Sequence, residues 1–234
     1  MIKRQVPNMI TLCNLACGVL SVFAALWMDQ PTLAALFICL GIFFDFFDGL
    51  TARLLAVSSP IGKELDSLAD VVTSGVAPAA ILYSLTYPIL LNFHLEWLAF
   101  IYMLIPLFAA YRLAKFNLDT RQSHSFLGLP VPSQALVWVG LALSSKAAIW
   151  GDIYGVLAIL IVSVLLDILM VSELPLFSLK FNFKDLSWKH NKVQYFFLIG
   201  CALIIALLFD WIALSIIILF YIVLSLFTHR YHAQ

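Results

Sequence analysis

The 234-residue chain has little charge. Only 11% of its residues are Asp, Glu, Lys or Arg and 63% are hydrophobic, whereas a soluble domain is about a quarter charged and near half apolar. Mean hydropathy is +1.02. This excludes an ordinary water-soluble fold. The charge that is present has no net sign, since 13 basic and 13 acidic residues balance. Nucleic-acid binding by bulk electrostatics is thereby excluded. Cysteine is scarce as well. Cys13, Cys17, Cys39 and Cys201 lie in apolar runs without a C-x-x-C pair. No zinc ribbon or disulfide framework follows from such spacing, and the four are expected to be reduced, small apolar residues. Internal repeats and low-complexity tracts are lacking too.

Long apolar runs take the place of what is missing. A helix crossing the hydrocarbon core needs roughly 17–25 apolar residues. Eight such runs can be placed, near 9–28, 31–55, 67–91, 95–116, 132–150, 152–171, 193–209 and 211–228. The expected fold is all-α: a polytopic membrane helix bundle of about eight transmembrane helices, forming one integral-membrane domain over 1–234. The first run follows Lys3 and Arg4, but it is too long for a signal peptide and has no small-x-small cleavage site, so it is expected to stay in the mature chain. Residues 171–192 carry Phe177, Phe181, Phe183 and Trp188 among lysines and read as a cytoplasmic interfacial loop. Residues 193–234 read as a C-terminal helical hairpin turning at Asp210. With both termini cytoplasmic, every Lys and Arg except Lys146 falls on the cytoplasmic side, as the positive-inside rule requires. The expected location is the cell (inner) membrane.

Within this apolar sequence stand Asp45, Asp48, Asp66 and Asp70. A carboxylate at membrane depth is costly and by default marks a functional site. Asp45 and Asp48 are three apart, and Asp66 and Asp70 four apart, so each pair shares a helix face. Ser58-Ser59-Pro60 between them is a helix stop. Two helices joined by a short turn would bring both pairs together. All-carboxylate ligation suits hard divalent cations such as magnesium, manganese or calcium over zinc, and Mg2+ or Mn2+ is expected. Four carboxylates have the capacity for two ions, which clamp a phosphoryl group and its leaving oxygen. Gly49 and Ala52 leave room on the aspartate face, Gly62 does so on the second helix, and Arg53 offers a bidentate phosphate donor. Pro7, Asn8, Thr11 and Asn14 place polar groups at the start of the first run, either as an interfacial entry or as ligand contacts.

Asp45-x-x-Asp48-Gly49-x-x-Ala52-Arg53, followed after eight residues by Gly62-x-x-x-Asp66-x-x-x-Asp70, resembles the signature of the CDP-alcohol phosphatidyltransferases. The resemblance covers roughly residues 5–170. Stretches 65–79, 111–117 and 126–132 are similar to the integral-membrane branch that uses serine as its alcohol. The resemblance implies transfer of a phosphatidyl group from CDP-diacylglycerol to the hydroxyl of L-serine, with CMP released at the cytoplasmic face. It implies metal ligation by Asp45, Asp48 and Asp66. Asp70 is implied as the base and also as a ligand, and the spacing does not separate those roles. Asp48, Gly49, Ala52, Arg53, Gly62, Asn8 and Thr11 are implied as CDP-diacylglycerol contacts. A homodimer is the assembly that family members suggest.

The serine carboxylate needs a cation, and Arg112 and Lys115 at the end of the fourth run are the natural candidates. Arg112 is preferred because its planar fork matches a carboxylate. Both residues would otherwise serve as positive-inside anchors. Gly128-Leu129-Pro130 with Pro132 reads as a rigid turn shaping the acceptor pocket or as a span entry. Two other functions compete. One is the same reaction with glycerol 3-phosphate, inositol phosphate or choline as acceptor. The other is divalent-cation transport, which the single aspartate cluster without a matching second half disfavours.

Overall fold

The computed structural model describes residues 2–57, 59–118, 126–145, 151–176 and 192–232. Ser58, Arg121, Lys146 and the aromatic-rich stretch 177–191 lie outside these residues. The described chain is helical almost throughout. In order come α1 (Ile2–Leu26), α2 (Pro31–Leu54), α3 (Pro60–Asp70), a π-helical segment (Val71–Val76) and α4 (Ala77–Asn92). A 3-10 segment (Glu96–Met103) leads into α5 (Leu104–Leu118), followed by α6 (Val131–Leu143), α7 (Ile153–Val171), α8 (Lys192–Leu208) and α9 (Ile212–His232). One element departs from the expected all-helical chain. β1 (Phe126–Leu127) and β2 (Pro175–Leu176) form a two-residue antiparallel bridge, Phe126 opposite Leu176.

The helix boundaries have local causes. Proline opens α2 and α3 at positions where its missing N–H costs nothing. Ser59 caps α3, its Oγ accepting from the Gly62 N–H at 3.0 Å. Asp152 caps α7 in the same way, accepting from the Gly155 N–H at 2.8 Å. The run expected at 67–91 begins earlier, at Pro60, because this cap and the first-turn proline start the helix ahead of the apolar stretch.

Five helical runs are long and apolar enough to cross a membrane: Gln5–Leu26, Pro31–Leu54, Pro60–Asn92, Glu96–Leu118 and Ile153–Val171. Three shorter apolar helices, Val131–Leu143, Val193–Leu208 and Ile212–Leu226, pack with them. Phe43, Phe46, Phe100, Leu107 and Ile161 face outward, an exterior suited to lipid. The α1–α2 contact is built from Ala24, Ala25, Ala34, Ala35 and Ile38, small residues that let backbones approach closely. A second core gathers Leu82, Tyr102, Ile105, Trp138, Leu160 and Met170 from α4 to α7. α8 and α9 fold back on each other, with Phe197 and Phe220 stacked at 5.9 Å.

Polar ties lock the bundle at both ends. Asp167 of α7 is fully buried and accepts from Gln134 Nε2 of α6 at 2.7 Å. This carboxylate inside an apolar helix was not among the expected site residues, although its setting in the α7 run is the signal that marks it. In the turn before α9, Asp210 accepts from the Ser145 hydroxyl, from the Ser145 N–H at 3.1 Å and from the Ile212 N–H at 2.9 Å. Hydrogen bonds from Ser144 and Ser145 hold its carboxyl well below the usual carboxylate range.

The segment leading into α6 is bolted to the end of α7. The Gly128 N–H donates to Leu174 O at 2.9 Å, and Gly128 has φ +73°. A Cβ there would sit 2.6 Å from Met170 O and 2.7 Å from Ser172 O. Gly128→Ala is expected to destabilise the protein by about 1–3 kcal/mol through left-handed strain and this crowding. Gly49→Ala, where a Cβ meets nothing within 4 Å, should not lower stability. Thermal unfolding of both variants in detergent checks this.

Candidate active site

The Ser59-Pro60 cap turns the chain so that the end of α2 and the start of α3 face one another. Helical spacing then does the rest. Oxygens of Asp45, Asp48 and Asp66 come within 4.8 Å of one another. Asp48 is buried, while Asp45 and Asp66 are half-buried. Two full charges at such a separation repel by roughly 3–4 kcal/mol at an effective dielectric of ~20. Asp66 Oδ1 is buried with no hydrogen-bond partner. An orphaned carboxylate oxygen among hard oxygen donors is the arrangement a divalent cation would satisfy. The three residues therefore fit such an ion.

Asp70 lies outside this trio but adjoins it, within the field of Asp66 and Asp48. Its Oδ1 accepts from Asn14 Nδ2 of α1 at 3.2 Å. α1 supplies a second donor one turn earlier, where Thr11 Oγ1 donates to Asp48 Oδ2 at 2.6 Å. Two polar residues of the first helix thus reach two different carboxylate-bearing helices.

Beside the trio opens a cavity of about 250 Å³. Asn8, Thr11, Asp48, Gly49, Ala52, Gly62 and Asp66 line it, together with Pro7, Val57, Ser59 and Lys63. The small-residue faces of α2 and α3 are its walls. A Cβ at Gly62 would lie 3.0 Å from Asn8 Oδ1 and 2.9 Å from Ser59 Oγ, so glycine keeps this wall open. Arg53 is elsewhere. It is exposed, and its Nε donates to Gly49 O at 3.0 Å along its own helix. Lys63 is the basic residue on the cavity wall. Its Nζ donates to Asn117 O at 2.9 Å, while Asn117 Nδ2 donates to Ser67 Oγ at 2.9 Å. Lys63 was not among the expected site residues, though its place directly after Gly62 was a usable signal.

The two expected acceptor-site cations part company. Arg112 is buried in α5, with its guanidinium 5.1 Å from the centre of the Phe116 ring and under the field of Asp70. Lys115 lies further out and pairs with Glu173 at 3.2 Å.

The model of the CDP-alcohol phosphatidyltransferase family matches residues 4–227, nearly the whole chain. The chain belongs to that family. Among similar proteins, the CDP-diacylglycerol–serine O-phosphatidyltransferase of Bacillus subtilis is 39% identical over 143 residues, covering 59% of this chain and 76% of its own. The protein of that name from Helicobacter pylori is 36% identical over 189 residues, covering 78% of this chain and 74% of its own. A third, from Methanocaldococcus jannaschii, is 33% identical over 169 residues, covering 72% of each. In this CDP-alcohol phosphatidyltransferase the matched region includes every residue of the carboxylate trio and its cavity.

The trio makes a prediction independent of turnover. Mg2+ or Mn2+ should raise the thermal unfolding midpoint of the purified protein, and chelation should reverse the rise. Asp66→Asn should abolish the metal-dependent part, as read by the same melting experiment. A metal-induced shift of wild-type size in Asp66→Asn would contradict ligation by the trio.

Proposed function

We propose that this protein transfers the phosphatidyl group of CDP-diacylglycerol to the hydroxyl of L-serine, releasing CMP and phosphatidylserine. The observation that carries the reading is the carboxylate trio on the wall of a cavity formed by the small residues of α2 and α3. The names borne by similar proteins from two bacteria and an archaeon support serine as the acceptor. The cavity takes the nucleotide end of the donor, with Asn8 and Thr11 above it and Gly49, Ala52 and Gly62 admitting the pyrophosphate close to the backbone. Lys63 adds positive charge on this wall, and exposed Arg53 meets phosphate from outside. The acyl chains remain in the bilayer beside the apolar outer faces.

Asp45, Asp48 and Asp66, with Asp70 adjoining, would hold divalent cations. When bound, Mg2+ or Mn2+, as two ions, neutralises the pyrophosphate and stabilises the CMP leaving group. Thr11 orients Asp48 for this purpose. A serine hydroxyl is a weak nucleophile and needs a base within hydrogen-bond reach. Asp70 is that base. As serine Oγ bonds to the phosphatidyl phosphorus, the phosphorus–oxygen bond to CMP breaks and the hydroxyl proton passes to Asp70. CMP departs with the electron pair of the broken bond. Arg112 receives the serine carboxylate, because a buried carboxylate without a cation is costly and the guanidinium fork matches it. Lys115, engaged with Glu173, contributes field at the mouth of that pocket.

The orientation that fits a water-soluble acceptor has both termini and the carboxylate cluster on the cytoplasmic side of the cell membrane, with eight spans, in agreement with the distribution of Lys and Arg. Residues 5–170 form the catalytic core of a single domain, and α8 and α9 close it at the C-terminal end.

The direct test is purified protein with CDP-diacylglycerol and labelled alcohols. CMP and phosphatidylserine should appear together with serine, and neither should form after exhaustive chelation. CMP release with glycerol 3-phosphate and not with serine would replace the acceptor. For the carboxylate contact, Arg112→Lys should raise the serine KM by about tenfold while leaving the donor KM nearly unchanged, since charge is kept and the two-point fork is lost. Arg112→Ala should be worse. An unchanged serine KM in Arg112→Ala would place the carboxylate site elsewhere.

A further inference from the structure

Asn14 sits where no solvent reaches it, 1% exposed, one turn after Thr11 on α1. Its Nδ2 donates to Asp70 Oδ1, and its own Oδ1 has no partner. Turning the amide over would set two acceptor oxygens against each other, so only this orientation is favourable. A buried amide oxygen without a partner is unfavourable. The backbone of Asn14 is held as firmly as its side chain. Thr73 Oγ1, fully buried in the π-helical segment, donates to Asn14 O at 3.0 Å.

This contact needs an unusually close approach of three helices. A Cβ at Gly18 would lie 2.5 Å from Thr73 Oγ1 and 2.8 Å from Thr73 Cα. A Cβ at Gly41 would lie 2.5 Å from Thr73 Cγ2 and 3.0 Å from Asn14 Oδ1. Glycines on α1 and α2 therefore admit Thr73 and the Asn14 amide together. The π-helical turn begins directly after Asp70, which resets the phase of the helix at that residue. The glycine pair, the π turn and the Thr73 hydroxyl all converge on one side-chain hydrogen bond, from Asn14 to Asp70.

We infer that Asn14 is a positioning residue for the reaction: by occupying Asp70 Oδ1 it fixes the carboxyl plane and leaves Oδ2 turned to the acceptor hydroxyl. The inference rests on Asp70 as the base. In this role Asn14 acts through Asp70, the group its amide touches.

The experiment is a double-mutant cycle with Asn14→Ala, Asp70→Asn and the pair, measuring kcat, both KM values and donor-lipid binding. Asn14→Ala should cut kcat by about 10- to 100-fold, a part of the 10²–10⁴ a general base contributes. Donor KM, serine KM and donor binding should stay within about twofold, which also reports that the variant folds. In the Asp70→Asn background, whose residual rate is read from labelled CMP release, Asn14→Ala should have no further effect. Thr73→Val keeps the shape and removes the hydroxyl that holds the Asn14 backbone. It should lower kcat roughly three- to tenfold in the same direction, and it carries the test if Asn14→Ala fails to fold. Wild-type kcat in Asn14→Ala, an additive loss in the double variant, or a loss confined to donor KM would overturn the positioning role and leave the base reading standing. Wild-type turnover in Asp70→Asn would overturn both.

Discussion

Asp45, Asp48 and Asp66 bring carboxylate oxygens within 4.8 Å of one another in an apolar bundle, and Asp70 adjoins them. Charged carboxylates this close repel one another. Surrounding structure answers this repulsion piece by piece. Thr11 and Asn14 supply hydrogen bonds from α1, Lys63 stands on the cavity wall, and Arg112 places a buried cation in the field of Asp70. Asp66 Oδ1 is left without a partner. Three carboxylates and an orphaned oxygen are a donor set that could hold a divalent cation. Small residues border the carboxylates, and Gly49, Ala52 and Gly62 leave the cavity beside them open.

The rest of the bundle holds this cluster rigidly. α1 and α2 meet through alanines, so their polar upper turns are set by a close backbone contact and not by long adaptable side chains. The Ser59 cap and Pro60 give the α2–α3 connection a defined geometry. Farther away, Gln134–Asp167 and the Asp210 ties join α6 to α7 and to the turn before α9. Each is a polar interaction between residues well apart in the sequence.

Much of the fold was legible because apolar runs of spanning length have few alternatives in lipid. The runs expected at 31–55 and 152–171 match α2 and α7 within a residue at either end. The start at Pro60 was less legible, because the first turns of α3 are polar and only the cap marks them. The β1–β2 bridge had no periodic signal, being two residues long. In the site, the Asn8–Thr11 surface and the Gly49, Ala52 and Gly62 walls were readable from small and polar residues recurring on one helix face. Asp167, which stands alone in its run, lacked the paired spacing that marked Asp45 with Asp48 and Asp66 with Asp70.

The sequence by itself determined that this is a helical membrane protein, and that two pairs of carboxylates share faces of two helices joined by a turn. Those features follow from composition and from a 3.6-residue period, which act along the chain. Only the tertiary structure decided which carboxylates converge and which partners they take. It drew Asp45, Asp48 and Asp66 together and gave Asp70 to Asn14. It set Lys63 on the cavity wall, turned Arg53 onto its own backbone, and paired Lys115 with Glu173. Such partners are chosen by how helices cross, and helix crossing depends on glycines and alanines whose neighbours lie far away in the sequence.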